Sequence, residues 1–333
     1  MKLRLTCLLS ACSLSCAALA AQLADPLYDR EILASIDLAL KQEYDSALAV
    51  ASDLVQKAPE EPAGYFLRMT VMSARYFDEN DTNSFKAIFG VADRVSALSE
   101  GGAGPMPRFY HAAAEAFRSI LLTEEGNAIS GALQGRRAAR EFGALLSEGV
   151  ESGDALGIVG AYHYWSSVVL KGLTWIPYIE NRRERGIREM RTGTAASRYM
   201  KFALSHSLLW CYYNNHRFAD ALALCDSVLA DYPAHSLFLQ SRMHILYKMG
   251  RFREALDISG PLLKRSLARE KVPVNSTIIR CKMGLIHYSM GNRKAGDEIA
   301  AVLLDRPLSG YLRARIKKDI YYLEKARKEN AGK

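Results

Sequence analysis

A spacing of 34 residues organises the C-terminal half of this chain. Phe218, Ala221, Leu222 and Cys225 lie within "HRFADALALCDSVLADYP", and Phe252, Ala255, Leu256 and Ser259 occupy the same places 34 positions later. A third copy runs from Met283-Gly284 through Tyr288, Gly291 and Ala295 to Pro307, with Arg293 where the others have an aromatic and with an insertion, "REKVPVN", before it. An outlying copy holds Tyr44, Ala47, Leu48, Ala51, Leu54 and Pro59. Such a period describes a helix, a tight turn often made by Gly, a second helix opening on an aromatic, and a terminating Pro. The small residue lets the two helices approach. One hairpin cannot bury both of its faces, so successive hairpins must stack.

These positions resemble the tetratricopeptide repeat. Leu208, Tyr212, Phe218, Ala221 and Pro233 match in one unit, Leu246, Gly250, Phe252 and Ala255 in the next, and Met283, Gly284, Gly291 and Pro307 in the third. Tyr44, Ala47 and Pro59 match in the first. The resemblance implies an all-α, right-handed superhelical α-solenoid of helical hairpins. The expected organisation is a signal peptide over 1–20, degenerate helical repeats over 21–200 with a unit at 28–61, and three repeats over 201–310. A capping helix and basic tail over 311–333 would close the array, with Ile316, Ile320 and Leu323 against the last repeat. The middle lacks clear motifs but keeps helical spacing, and nothing alternates at period two, so about seven hairpins are expected. The block from "DALGIVGAYHYW" to "WIPYIENRRERGI" is loosely similar to exported bacterial repeat proteins distantly related to the tetratricopeptide-repeat 39 family.

The first segment predicts export. Lys2 and Arg4 precede an apolar stretch ending Ala18-Leu19-Ala20, the pattern of a secretory signal cleaved before Ala21. Removing Lys2 and Arg4 takes the net charge from +8 to +6. The expected compartment is the periplasm. Cys12 and Cys16 leave a second route open, a lipoprotein anchored in a membrane through either cysteine. Cys211, Cys225 and Cys281 form no disulfide framework; they are either small buried hydrophobes or include a Cys211–Cys225 pair across one hairpin.

In repeats of this class the first helix of each hairpin lines the concave face. The resemblance therefore implies a groove formed by His206, Trp210, Tyr213 and Asn214, then Gln240, His244, Tyr247 and Lys248, then Lys282, Leu285 and Tyr288. Tyr213, Tyr247 and Tyr288 fall at one equivalent position, which makes either a binding ladder or inter-helix packing. Where chaperone adaptors of this family carry the Lys and Asn of a carboxylate clamp, this chain has His206 and Trp210, so that clamp is not implied. Trp165, Trp175 and Tyr178 either wall a central pocket or fill the core. The Arg-rich run 182–201 is a solvated face or an anion grip. His111 and Glu115 lie one turn apart without a partner motif.

No zinc spacing, nucleophile elbow or phosphate loop occurs, so the pattern calls for no catalytic residue, metal or cofactor. Nucleic acid is not an expected partner. The expectation is a non-enzymatic adaptor or scaffold holding a protein or peptide of the cell envelope in its groove. The alternatives are a lipid-anchored outer-membrane assembly component and a small-ligand or glycan receptor using the central aromatics.

Overall fold

A computed structural model describes residues 23–80, 84–169, 181–305 and 307–331. Within them sixteen helices run in order: α1 (Asp29–Leu40), α2 (Tyr44–Lys57), α3 (Pro62–Glu79), α4 (Ser84–Ser99), α5 (Pro105–Glu124), α6 (Ala128–Ser147), α7 (Gly153–Val169), α8 (Arg183–Ala196), α9 (Lys201–Asn214), α10 (Phe218–Asp231), α11 (Ser236–Lys248), α12 (Phe252–Arg269), α13 (Val274–Ser289), α14 (Arg293–Leu304), α15 (Gly310–Arg315) and α16 (Lys317–Ala331). No described residue is in a strand. The first fourteen helices form seven hairpins of consecutive partners, and α16 packs on α13 and α14 at the end of the array.

One turn recurs in five of the hairpins. Gln42, Gly126, His216, Gly250 and Gly291 all take positive φ between the two helices. The amide of the following residue donates to the carbonyl five positions back: Glu43 to Leu38, Asn127 to Leu122, Arg217 to Tyr212, Arg251 to Leu246, Asn292 to His287. This is the paired-bond ending that satisfies orphan carbonyls at a helix C-terminus. The α5–α6 hairpin has it too, so the repeat persists into the part of the chain where the motif is unreadable. Three residues into each second helix stands a small residue: Ala47, Gly131, Ala221, Ala255 and Gly296, all buried. In the third motif copy this place belongs to Gly296 and not to Ala295, which stays partly exposed. A methyl on Gly296 would sit 2.6 Å from the Tyr288 ring, because there the tyrosine fills the space that Ala221 and Ala255 fill in the two preceding hairpins. Ala221 and Ala255 have no solvent exposure, as stacked hairpins require. The architecture is a tetratricopeptide-like α-solenoid.

The first helices of successive hairpins also touch one another, α1 with α3, α3 with α5, α7 with α9 and α11 with α13, so they form the inner layer. Phe66, Phe109, Tyr110 and Tyr199 meet there at ring-centroid distances of 5.1–6.4 Å. The winding brings the first two hairpins against α10–α12 and the start of α13. Gln42 donates to the Ser236 hydroxyl at 3.0 Å and accepts from Arg265 at 2.6 Å. Asp78 pairs with Arg269 at 3.1 Å, and the Tyr232 hydroxyl donates to Asp37 at 3.0 Å. The insertion seen in the sequence makes part of this closure: Lys271 donates its amide to the Glu79 carbonyl at 2.7 Å, and Asn275 donates to the carbonyls of Phe77 and Asp78.

The C-terminal segment forms two helices. Leu312 of α15 and the linking Ile316 are buried, and Leu323 of α16 is buried against α13. Lys317, Lys318, Lys325 and Lys328 are exposed.

Cys211, Cys225 and Cys281 are free and buried. The Cys225 thiol donates to the Phe238 carbonyl at 3.1 Å, which turns it toward α11 and leaves no Cys211–Cys225 bridge. Burial pushes the thiols of Cys225 and Cys281 up to about 12, and that of Cys211 also upward. A thiolate is the reactive form. These three thiols should therefore resist a thiol reagent in the native protein and react together on unfolding; fast labelling of any one before the helical signal is lost would contradict this packing.

Candidate functional site

The candidate groove is built on α9, α11 and α13. Their exposed turns are few, because each lies between its own partner helix and a neighbouring hairpin, so inner-layer side chains are half-buried before any ligand arrives. Trp210 donates its indole N–H to Nε2 of His206 at 2.9 Å, one turn back on α9. Burial holds the His206 imidazole down at about 4, which leaves it neutral and able to accept that bond. Trp210 meets Tyr213 edge-on at 4.9 Å and lies 6.1 Å from the ring of His244 on α11. Burial, reinforced by Lys282 and Lys248, also holds His244 well below the ordinary histidine range.

Lys282 ends the row. Its ammonium lies 4.5 Å from the centroid of the Tyr247 ring, the geometry of a cation–π contact. The residue is 8% exposed. Among the described residues no oxygen accepts a hydrogen bond from it and no carboxylate comes within ion-pair distance. Burial lowers its titration to about 8, with Asp319 of α16 acting in the opposite direction. Burial in turn raises Asp319, with Lys282 opposing it. Lys248 is exposed at the end of α11, and Gln240 is half-buried earlier on the same helix.

The expected residues do not all meet. His206, Trp210, Tyr213 and His244 form one aromatic row; Tyr247 and Lys282 form the adjoining pair. Tyr213 and Tyr247 each also pack on the aromatic that opens the partner helix, Phe218 at 5.4 Å and Phe252 at 5.8 Å. Tyr288 is buried, and its hydroxyl donates to Asp297 at 2.7 Å, so it belongs to the inside of its own hairpin and not to a ladder in the groove. The shared position is thus a hairpin-packing position, at which Tyr213 and Tyr247 remain half-buried.

Trp165 donates to the Ser207 hydroxyl at 2.9 Å and meets Tyr164 edge-on at 5.0 Å, which fixes it between α7 and α9. Trp175, with Pro177 and Tyr178, lies outside the described residues. Glu115 pairs with Arg118 at 2.7 Å instead of joining His111. In the Arg-rich run, Arg185 pairs with Glu189 at 2.7 Å and Arg198 with Asp29 across the closure. Asp319 was invisible as a groove residue, since the register of α16 across α13 decides which of its faces meets Lys282.

No family model matches this sequence, and no curated protein sequence does. Among solved structures, the chain is similar to a tetratricopeptide repeat protein from Parabacteroides merdae ATCC 43184, at 14% sequence identity and a TM-score of 0.38, over 89% of this chain and 98% of that one.

Proposed function

We propose that this chain is a non-enzymatic adaptor or scaffold of the cell envelope, exported by the leader over 1–20, and that it holds an extended segment of a partner protein along α9, α11 and α13. A tetratricopeptide-like solenoid fits protein binding in general. The observation that carries the reading is Lys282. This ammonium faces an aromatic ring on a largely buried side chain, has no oxygen partner among the described residues, and so has donors free for an acceptor. A backbone carbonyl or acidic side chain of a bound segment would supply it. The Trp210, Tyr213 and His244 row beside it offers flat apolar faces at low entropic cost.

The test is capture from envelope extract by wild-type protein, Trp210→Ala/Tyr247→Ala and Lys282→Met. Both variants should recover the specific partner at about tenfold lower yield or less. Lys282→Met should also melt no lower than wild type, because it removes a buried charge that has no close counter-charge. Identical partner sets from all three proteins would remove the groove assignment.

A further inference from the structure

The outer flank of α6 carries an inference that does not depend on the groove. The inward face of this helix is clear: Gly131, Ala138, Ala139, Phe142 and Leu145 are buried. The opposite stripe starts with Ile129, 80% exposed, and Leu133, 58% exposed. It continues through Arg136, Arg137 and Arg140, all exposed. Successive members three and four residues apart share one helix face.

A neighbouring helix widens the apolar end. α7 follows α6 through a short link and runs back along it, and a methyl built on Gly135 would lie 3.9 Å from the Tyr162 ring. Val169 is two turns beyond Tyr162, and the start of α6 is two turns before Gly135. Val169, 66% exposed, therefore comes level with Ile129.

The basic end is weakly paired among the described residues. Arg137 reaches only the Gln134 amide oxygen, at 3.4 Å, and Arg140 reaches only its neighbour Glu141, at 4.0 Å. Arg136 has no carboxylate within ion-pair distance among the described residues. The flank lies on the outer layer of the solenoid, on the second helix of its hairpin. It thus joins a small apolar cluster to three exposed guanidinium groups, of which only Arg140 has a carboxylate in reach, Glu141 at the 4.0 Å limit. An anionic bilayer meets both demands at once: apolar side chains enter the headgroup–acyl boundary, and guanidinium groups bind phosphate oxygens. No helix among the described residues is long and apolar enough to cross a membrane, so the contact would be peripheral.

We propose that the α6 flank, with Val169 of α7, rests on a membrane surface rich in anionic phospholipid. The test is co-sedimentation of the mature chain from Ala21, which lacks the basic, apolar leader with Cys12 and Cys16, with vesicles of phosphatidylcholine alone and with vesicles that also contain phosphatidylglycerol. Binding should appear only with the anionic lipid and weaken as salt rises. Arg136→Gln/Arg137→Gln/Arg140→Gln should lower it by on the order of a hundredfold. Ile129→Ser/Leu133→Ser should lower it by about tenfold or more. Both variants change exposed residues only and should keep the wild-type melting curve. Equal binding to both vesicle types, or full retention by the arginine variant, would overturn the proposal. A dimer in sedimentation velocity that Leu133→Ser abolishes would assign the flank to a second copy and would overturn it as well. Groove-dependent capture through Trp210 and Tyr247 is untouched by any of these results.

Discussion

Gly193→Leu should leave the chain unable to form its fourth hairpin, and Gly193→Ala should lower its stability by about 2–4 kcal/mol. α7 and α8 approach through glycines on both helices. A methyl on Gly193 would lie 2.3 Å from the Gly157 nitrogen and 2.7 Å from the Gly153 carbonyl oxygen. One on Gly160 would lie 2.6 Å from the Met190 nitrogen, and one on Gly186 2.6 Å from the Gly160 carbonyl oxygen. These obstacles are backbone atoms, so no rotamer change relieves them, and the helices must separate. Separation would strip contacts from Tyr164, Ile187 and Met190, which join this hairpin to the C-terminal core. The control is Gly90→Ala on α4, where an added methyl meets nothing within 4 Å. There the substitution should stabilise by about 0.5–1 kcal/mol, since only unfolded-state freedom is lost. Thermal melts followed by circular dichroism would separate the two; similar midpoints for Gly193→Ala and Gly90→Ala would refute the close backbone contact.

Asp154→Ala should cost about 4 kcal/mol or more and lower the melting temperature by roughly 10 °C. This buried carboxylate on the first turn of α7 accepts from the backbone amides of Met200 at 2.8 Å, Tyr199 at 3.1 Å and Arg198 at 3.3 Å, and from the Ser197 hydroxyl. It gathers the chain just before α9 and so sets where that helix begins. Tyr199, held by these bonds, accepts from the Asp25 amide and donates to Asp29, each at 2.7 Å. Loss of the carboxylate leaves several buried donors unsatisfied and frees the α8–α9 link. Asp154→Asn should recover only part of the loss, because its NH2 enters a group made of donors. A shift of less than about 2 °C for Asp154→Ala would show that water replaces the carboxylate at little cost.

The aromatic row of α9 and α11 was legible in part. Helical register alone puts His206, Trp210 and Tyr213 on one face of α9, and the repeat carries that face to His244 and Tyr247. Tyr288 departs from it because Gly296 stands where the α9–α10 and α11–α12 hairpins have Ala221 and Ala255, and the tyrosine turns in to fill the space. The state of Lys282 was not legible, because its lack of an oxygen partner depends on where α16 comes to lie.

Asp154 and the α7–α8 glycines show the same boundary. In the sequence, Asp154 is an ordinary acid on the first turn of a helix, and its real partners lie more than forty residues away. Phe218, Ala221, Gly250 and Phe252 could be placed from the sequence alone, because a hairpin closes through contacts made within one repeat by turn chemistry and a small residue. The closure of Gln42 and Asp78 on Arg265 and Arg269 belongs to the tertiary structure. It follows from small rotations between hairpins, added over the whole array, and no local pattern fixes that sum.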